Sequence, residues 1–106
     1  MTESEFLELA EATLDTIEAA VEATAADLEA TRSGNVLTLE LADGSKIVVN
    51  SQAPMRQIWV AARSGGFHYE RRGTEWRDTR DGSELFAALS KLVSAQGGEA
   101  VILRER

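Results

Sequence analysis

Val36-Leu37-Thr38-Leu39-Glu40-Leu41-Ala42-Asp43-Gly44-Ser45-Lys46-Ile47-Val48-Val49-Asn50 is the stretch that decides the fold. Leu37, Leu39 and Leu41 alternate with Val36, Thr38 and Glu40, the period of a strand with one buried face and one wet face. Asp43-Gly44 is a favoured two-residue hairpin turn, and Lys46–Asn50 returns as the partner strand. The reading extends in both directions. Upstream, Ser33-Gly34-Asn35 turns out of a first strand across Asp27–Arg32. Downstream, Pro54 punctuates the next connection because it has no N–H to give a ladder. Gln57–Ala62 makes a fourth strand, Ser64-Gly65-Gly66 turns it into Phe67–Arg71, and Gly73 turns again into Glu75-Trp76-Arg77.

A helix flanks this meander on each side. Thr2 with Glu5 three residues later fits a capping box, and Phe6, Ala10, Leu14, Ile17 and Val21 follow at helical spacing over about residues 3 to 24. Asp81 with Glu84 is a second such box, opening a helix whose buried face is Leu85, Phe86, Leu89, Leu92 and Val93 and which Gly97-Gly98 ends. The apolar tail Ala100–Leu103 docks on the core, and Trp76, close to a turn, belongs to the core as well. The expected class is α+β: a two-layer α/β sandwich, N- and C-terminal helices on one face of an antiparallel five- to six-stranded sheet, in a single domain over residues 1–106.

Charge is distributed unevenly. Residues 1–31 hold nine acids and no base, and the remainder holds nine acids and all eleven bases, so −9 stands against +2 in a chain of net charge −7. Such a segment repels nucleic acid and anionic membrane and favours cations or a basic protein. With Cys absent, thiolate metal sites, cluster ligation, disulfides and cysteine nucleophiles are excluded. Neither a secretory signal nor an apolar run long enough for a membrane span is visible, and an acid-rich start is the reverse of a transit peptide. The expectation is a cytoplasmic monomer. No nucleophile–His–acid spacing or phosphate loop supports catalysis, and Arg71, Arg72, Arg77 and Arg80 are interleaved with acids and make a poor nucleic-acid patch.

On the first helix Glu8, Glu11, Asp15, Glu18 and Glu22 share one face, centred roughly 120° from the apolar stripe. Like charges at these spacings cost about 0.2–0.5 kcal/mol per pair, and no base at i±4 relieves them. The plain reading is a solvated face. The other is a hard-oxygen surface suited to Fe²⁺, Fe³⁺, Mn²⁺ or Ca²⁺, exposed and weak because a rigid helix cannot wrap its carboxylates round one ion. Asp27 and Glu29 on the adjoining edge strand extend this ridge.

A second candidate surface is the open face of the sheet. If Ile58 and Val60 face the helices, then Gln57, Trp59 and Ala61 face water. By the same alternation Val48, Asn50, Gln52 and His68 point outward, while Phe67 and Tyr69 point inward. An exposed tryptophan ringed by Asn, Gln and His suits an interaction hot spot; the alternative is a Trp59 partly covered by a loop. His68, the only histidine, is most simply a surface residue, with metal ligation the lesser alternative.

The run Asn50-x-Gln52-x-Pro54-x-x-Gln57-Ile58-Trp59-Val60-Ala61, followed by Gly65-Gly66-Phe67-His68-Tyr69, resembles the central motif of the frataxin family. Ser4-Glu5-Phe6, Asn35-Val36-Leu37-Thr38 and Asp43-Gly44-Ser45-Lys46 resemble its bacterial branch, and the likeness spans essentially the whole chain. The resemblance implies an iron-binding, non-enzymatic protein of iron–sulfur cluster assembly, with no tightly bound cofactor and weak Fe²⁺ or Fe³⁺ on surface carboxylates. It implies docking on the cysteine desulfurase complex through the acidic ridge and the sheet face. By position, Glu11, Glu18 and Glu22 fall in the family's ridge, Asp27 and Glu29 near its edge-strand acids, and Asn50, Gln52, Gln57 and Trp59 in its sheet-face motif. His68 follows the Gly-Gly pair as in bacterial members; Asp15 is placed on the ridge by helical geometry. Ala19-Ala20 and Ala23-Thr24-Ala25-Ala26 depart from the family, whose members are often densely acidic there, which bears on iron capacity more than on docking. A pure interaction module with incidental metal binding is the competing reading. An oxidoreductase acting on ferrous iron is the weakest, because no carboxylate–histidine two-metal pattern is visible.

Overall fold

The Thr2 hydroxyl accepts the Glu5 N–H at 3.1 Å and the Glu5 carboxylate accepts the Thr2 N–H at 2.8 Å, closing the capping box. From that start helix α1 runs Glu3–Ala23 in a computed structural model that describes residues 1–105. Phe6, Ala10, Leu14, Ile17 and Val21 are all buried, joined by Thr13 and Ala20. The chain then forms six strands, β1 (Leu28–Ser33), β2 (Val36–Leu41), β3 (Lys46–Gln52), β4 (Gln57–Ala62), β5 (Gly65–Arg72) and β6 (Glu75–Asp78). They pair as one antiparallel meander in sequence order. Helix α2 (Leu85–Gly97) closes the chain of elements. Helix α1 packs on β1 and β3, and α2 on β2 and β6, so both helices cover one face.

Register explains where the turns differ from expectation. Paired residues of an antiparallel ladder share a face. A two-residue Asp43-Gly44 turn would set Leu41 opposite Lys46 and Leu37 opposite Asn50, mixing buried with wet. The observed pairs are Leu37 with Val49 and Leu39 with Ile47, all buried. That parity needs an odd loop, and Ala42, Asp43 and Gly44 supply it. Gly44 donates its N–H to the Leu41 carbonyl at 2.9 Å and adopts the left-handed conformation at φ 85°, as three-residue hairpins require. Between β4 and β5 the turn is Arg63-Ser64, and Gly65-Gly66 lie within β5 opposite Ala62 and Ala61, because Val60 pairs with Phe67 on the inner face.

The second helix also begins later than Asp81. Asp78 accepts the Arg80 N–H, Asp81 accepts the Ser83 N–H, and Gly82 sits left-handed at φ 77°, which interrupts any helix there. Glu84 is itself the cap, its two oxygens accepting the N–H groups of Phe86 and Ala87 at 2.8 and 3.0 Å. The tail docks as expected, with Val101 and Leu103 buried. Two serines one helical turn apart fasten it. The Ser94 hydroxyl accepts the Val101 N–H at 2.9 Å, and the Ser90 hydroxyl accepts the Leu103 N–H at 2.8 Å. Four helical residues rise about 6 Å and two extended residues span about 6.6 Å, so the two spacings match.

Trp76 ties the sheet to α1. It is buried, its Nε1–H donates to the Thr13 hydroxyl at 2.8 Å, and its ring meets Phe6 edge-on at 5.9 Å.

The β2–β3 loop carries an acid-sensitive clasp. Asp43 accepts hydrogen bonds from the Ser45 hydroxyl at 2.6 Å and the Ser45 N–H at 2.9 Å, and its other oxygen lies 3.1 Å from Arg63. The Ser45 bonds, then Arg63, hold its carboxyl down to about 2. Because the folded value is depressed below the unfolded one, this contribution is complete above about pH 5 and is lost as pH falls through about 4 to 2. Asp43→Asn should therefore flatten that part of the stability–pH curve, read from urea midpoints across the range. Identical acid slopes for the two proteins would count against the clasp.

Candidate functional site

Glu8, Glu11, Asp15, Glu18 and Glu22 lie along one face of α1, all exposed except Glu18, which is half-buried. The arrangement differs from the sequence reading in one respect: a base does relieve it, from another element. Arg32 stands on the inner-face side of β1 with Leu28 and Ala30, and its head emerges at the helix. Its Nε–H donates to the Gly34 carbonyl at 2.9 Å, and its terminal nitrogen lies 2.6 Å from Asp15 and 4.0 Å from Glu18. The Arg32 side chain is 19% exposed against 65% for Asp15, so the guanidinium is the anchored partner. An ion pair this open contributes about 0–1 kcal/mol to stability, but it changes the field. The middle of the ridge is compensated, and among the described residues no ion pair engages Glu8 and Glu11 at one end or Glu22 at the other.

Asp27 is exposed in the bend between α1 and β1, just before the strand. Glu29 does not join the ridge. Leu28 and Ala30 pack inward, so Glu29 points to the opposite face of the sheet, where it pairs with Glu40, itself opposite Lys46. Among the described residues no three His, Asp or Glu side chains converge closely enough to hold one ion.

The open face is more ordered. Asn50, Trp59 and His68 form one cross-strand row over β3, β4 and β5, and Gln52, Gln57 and Glu70 form the next. All are exposed or half-buried. The Trp59 Nε1–H donates to the Gln57 side-chain carbonyl at 2.8 Å, and the Gln52 amide donates to the Asn50 side-chain carbonyl at 2.8 Å. The His68 imidazole stacks on the Trp59 indole with ring centres 4.2 Å apart and planes 8° from parallel. No loop covers the tryptophan from that side; a neighbouring ring does. This places Asn50, Gln52, Gln57, Trp59 and His68 on one surface, prearranged by their own contacts.

Arg32 is the residue that sequence reasoning missed. The available signal was a base in the inward-facing phase of an edge strand, a position whose charge must emerge at the adjoining helix.

A family model described as the frataxin-like domain matches residues 1–99. The chain belongs to the frataxin family. It is 64% identical to the iron-sulfur cluster assembly protein CyaY of Janthinobacterium sp. (strain Marseille), covering 99% of this chain and 98% of that one. It is 62% identical to the protein of the same name from Herminiimonas arsenicoxydans, over the same shares. Among solved structures, frataxin from Psychromonas ingrahamii superposes with a TM-score of 0.92 at 35% identity, covering 99% of this chain and 100% of that one. Yeast frataxin superposes at 0.70 with 27% identity, over 86% and 79%. The two-layer sandwich expected from periodicity, and the frataxin-like fold that the resemblance implied, are thus the observed fold. No helix among the described residues is long and apolar enough to cross a membrane.

Proposed function

We propose that this protein serves iron–sulfur cluster assembly by docking on the cysteine desulfurase complex through the α1 ridge and the sheet face around Trp59, carrying iron weakly on ridge carboxylates as cargo. It performs no catalytic step of its own. The observation that carries this reading is the similarity, over nearly the full length, to proteins named for iron–sulfur cluster assembly. The two surfaces support it: one offers negative charge to a basic partner, the other an aromatic anchor with its neighbours satisfied.

Arg32 favours a second reading, in which docking is primary and iron incidental. With Asp15 paired and Glu18 within 4.0 Å of the same guanidinium, the central carboxylates already have a cation.

One assay tests both. Trp59→Ala should weaken desulfurase binding by about 2 kcal/mol, some 30-fold, typical of an aromatic hot spot, while circular dichroism and urea midpoint stay near those of the parent. A folded variant that binds unchanged would remove the sheet face from the interface. Running the titration anaerobically with and without Fe²⁺ separates the readings: iron-dependent affinity supports the cargo role, and iron-independent affinity supports docking alone.

A further inference from the structure

A tryptophan on the wet face of a strand has two rotatable side-chain torsions, and holding it still on association costs affinity. In this protein that freedom is removed beforehand. His68 is the direct cross-strand neighbour of Trp59, a pairing that brings Cβ atoms to about 5 Å. Its ring lies nearly parallel to the indole at 4.2 Å, slightly closer than the about 4.5–7 Å usual between aromatic ring centres. The indole N–H is spent on Gln57, two residues back on the same strand. One contact fixes the plane of the ring and the other its direction. His68 covers one face of the half-buried indole, and Asn50 is the cross-strand neighbour on its other side.

We propose that His68 is a positioning residue: its imidazole holds Trp59 in the orientation that docks, with Gln57 as the second support. The affinity consequence rests on the docking role of Trp59 set out above; the ordering of the indole does not. Under this assignment the stacking surface of His68 matters, and its ring nitrogens do not.

The test uses the two indole N–H signals of the intact protein, Trp76 being a buried reference fixed by Thr13. In His68→Ala, the Trp59 indole order parameter from ¹⁵N relaxation should fall from about 0.85 to below about 0.6, with Trp76 unchanged. Affinity for the desulfurase should drop about tenfold, mainly through faster dissociation. His68→Phe, which keeps a stacking ring and loses both nitrogens, should restore both readouts. An indole that stays ordered in His68→Ala would overturn the proposal. So would a His68→Phe protein with an ordered indole and uncorrected affinity, since His68 would then touch the partner or a metal itself. If Trp59→Ala binds as tightly as the parent, the docking role fails, and the order parameters still decide whether His68 holds the ring.

Discussion

Replacing Trp76 with alanine is expected to lower stability by about 3–5 kcal/mol, the range for removing a large buried aromatic. That is a large share of the about 5–15 kcal/mol available to a domain of this size. The site gives three reasons to expect a full loss. The indole is almost wholly buried beneath α1, it meets Phe6 edge-on, and its N–H ends on the Thr13 hydroxyl. Thr13 itself remains satisfied in the variant, because its hydroxyl also donates to the Leu9 carbonyl at 2.7 Å. The cost therefore lies in the cavity and the lost contacts between sheet and helix rather than in a stranded polar group. Urea denaturation is the direct check: with a slope of about 1–3 kcal/mol/M, the midpoint should fall by roughly 2 M. Trp76→Phe should fall between the two. A loss below about 1 kcal/mol for the alanine variant would mean that α1 closes over the gap and that Trp76 is not the tie described.

The second large effect concerns docking. Reversing Glu18 and Glu22 to lysine changes the local charge by four units on one face of α1. Against a basic desulfurase surface this should weaken binding by about 100-fold at low salt, chiefly through slower association, because exposed complementary charges act on encounter. The deficit should shrink to a few-fold near 0.5 M salt, where the screening length is only a few ångströms. Lysine is a good helix former, so the helix should persist by circular dichroism, and Asp15 keeps its Arg32 partner. Binding kinetics at several salt concentrations provide the measurement. Equal association rates for parent and variant at low salt would exclude the ridge from the encounter surface.

Much of this fold was legible because its two periods are clean. The α1 stripe at Phe6, Ala10, Leu14, Ile17 and Val21 is buried residue for residue, and the leucines of β2 face inward as their alternation required. The errors sit at the connections, where local turn propensity competes with register. Asp43-Gly44 favours a two-residue turn, but burying Leu39 against Ile47 demands three. Asp81 and Glu84 have capping-box spacing, but Gly82 in the left-handed region moves the helix start to Leu85. The ridge acids of α1 and the sheet-face residues were readable from one element at a time. The Arg32–Asp15 pair and the Trp59–His68 stack were not, since each joins separate elements and needs the strand pairing first. Glu29 shows the converse: adjacency to the helix in sequence says nothing of which side of a strand a carboxylate takes.

The tail held by Ser90 and Ser94 is in effect a peptide ligand that the chain supplies to itself. Gly98, Glu99 and Ala100 form its tether. So short a leash keeps the local concentration of Val101 and Leu103 at the order of millimolar or higher. Two hydroxyl clips and two apolar side chains, too feeble to hold a free tetrapeptide, thus suffice to keep that seam closed.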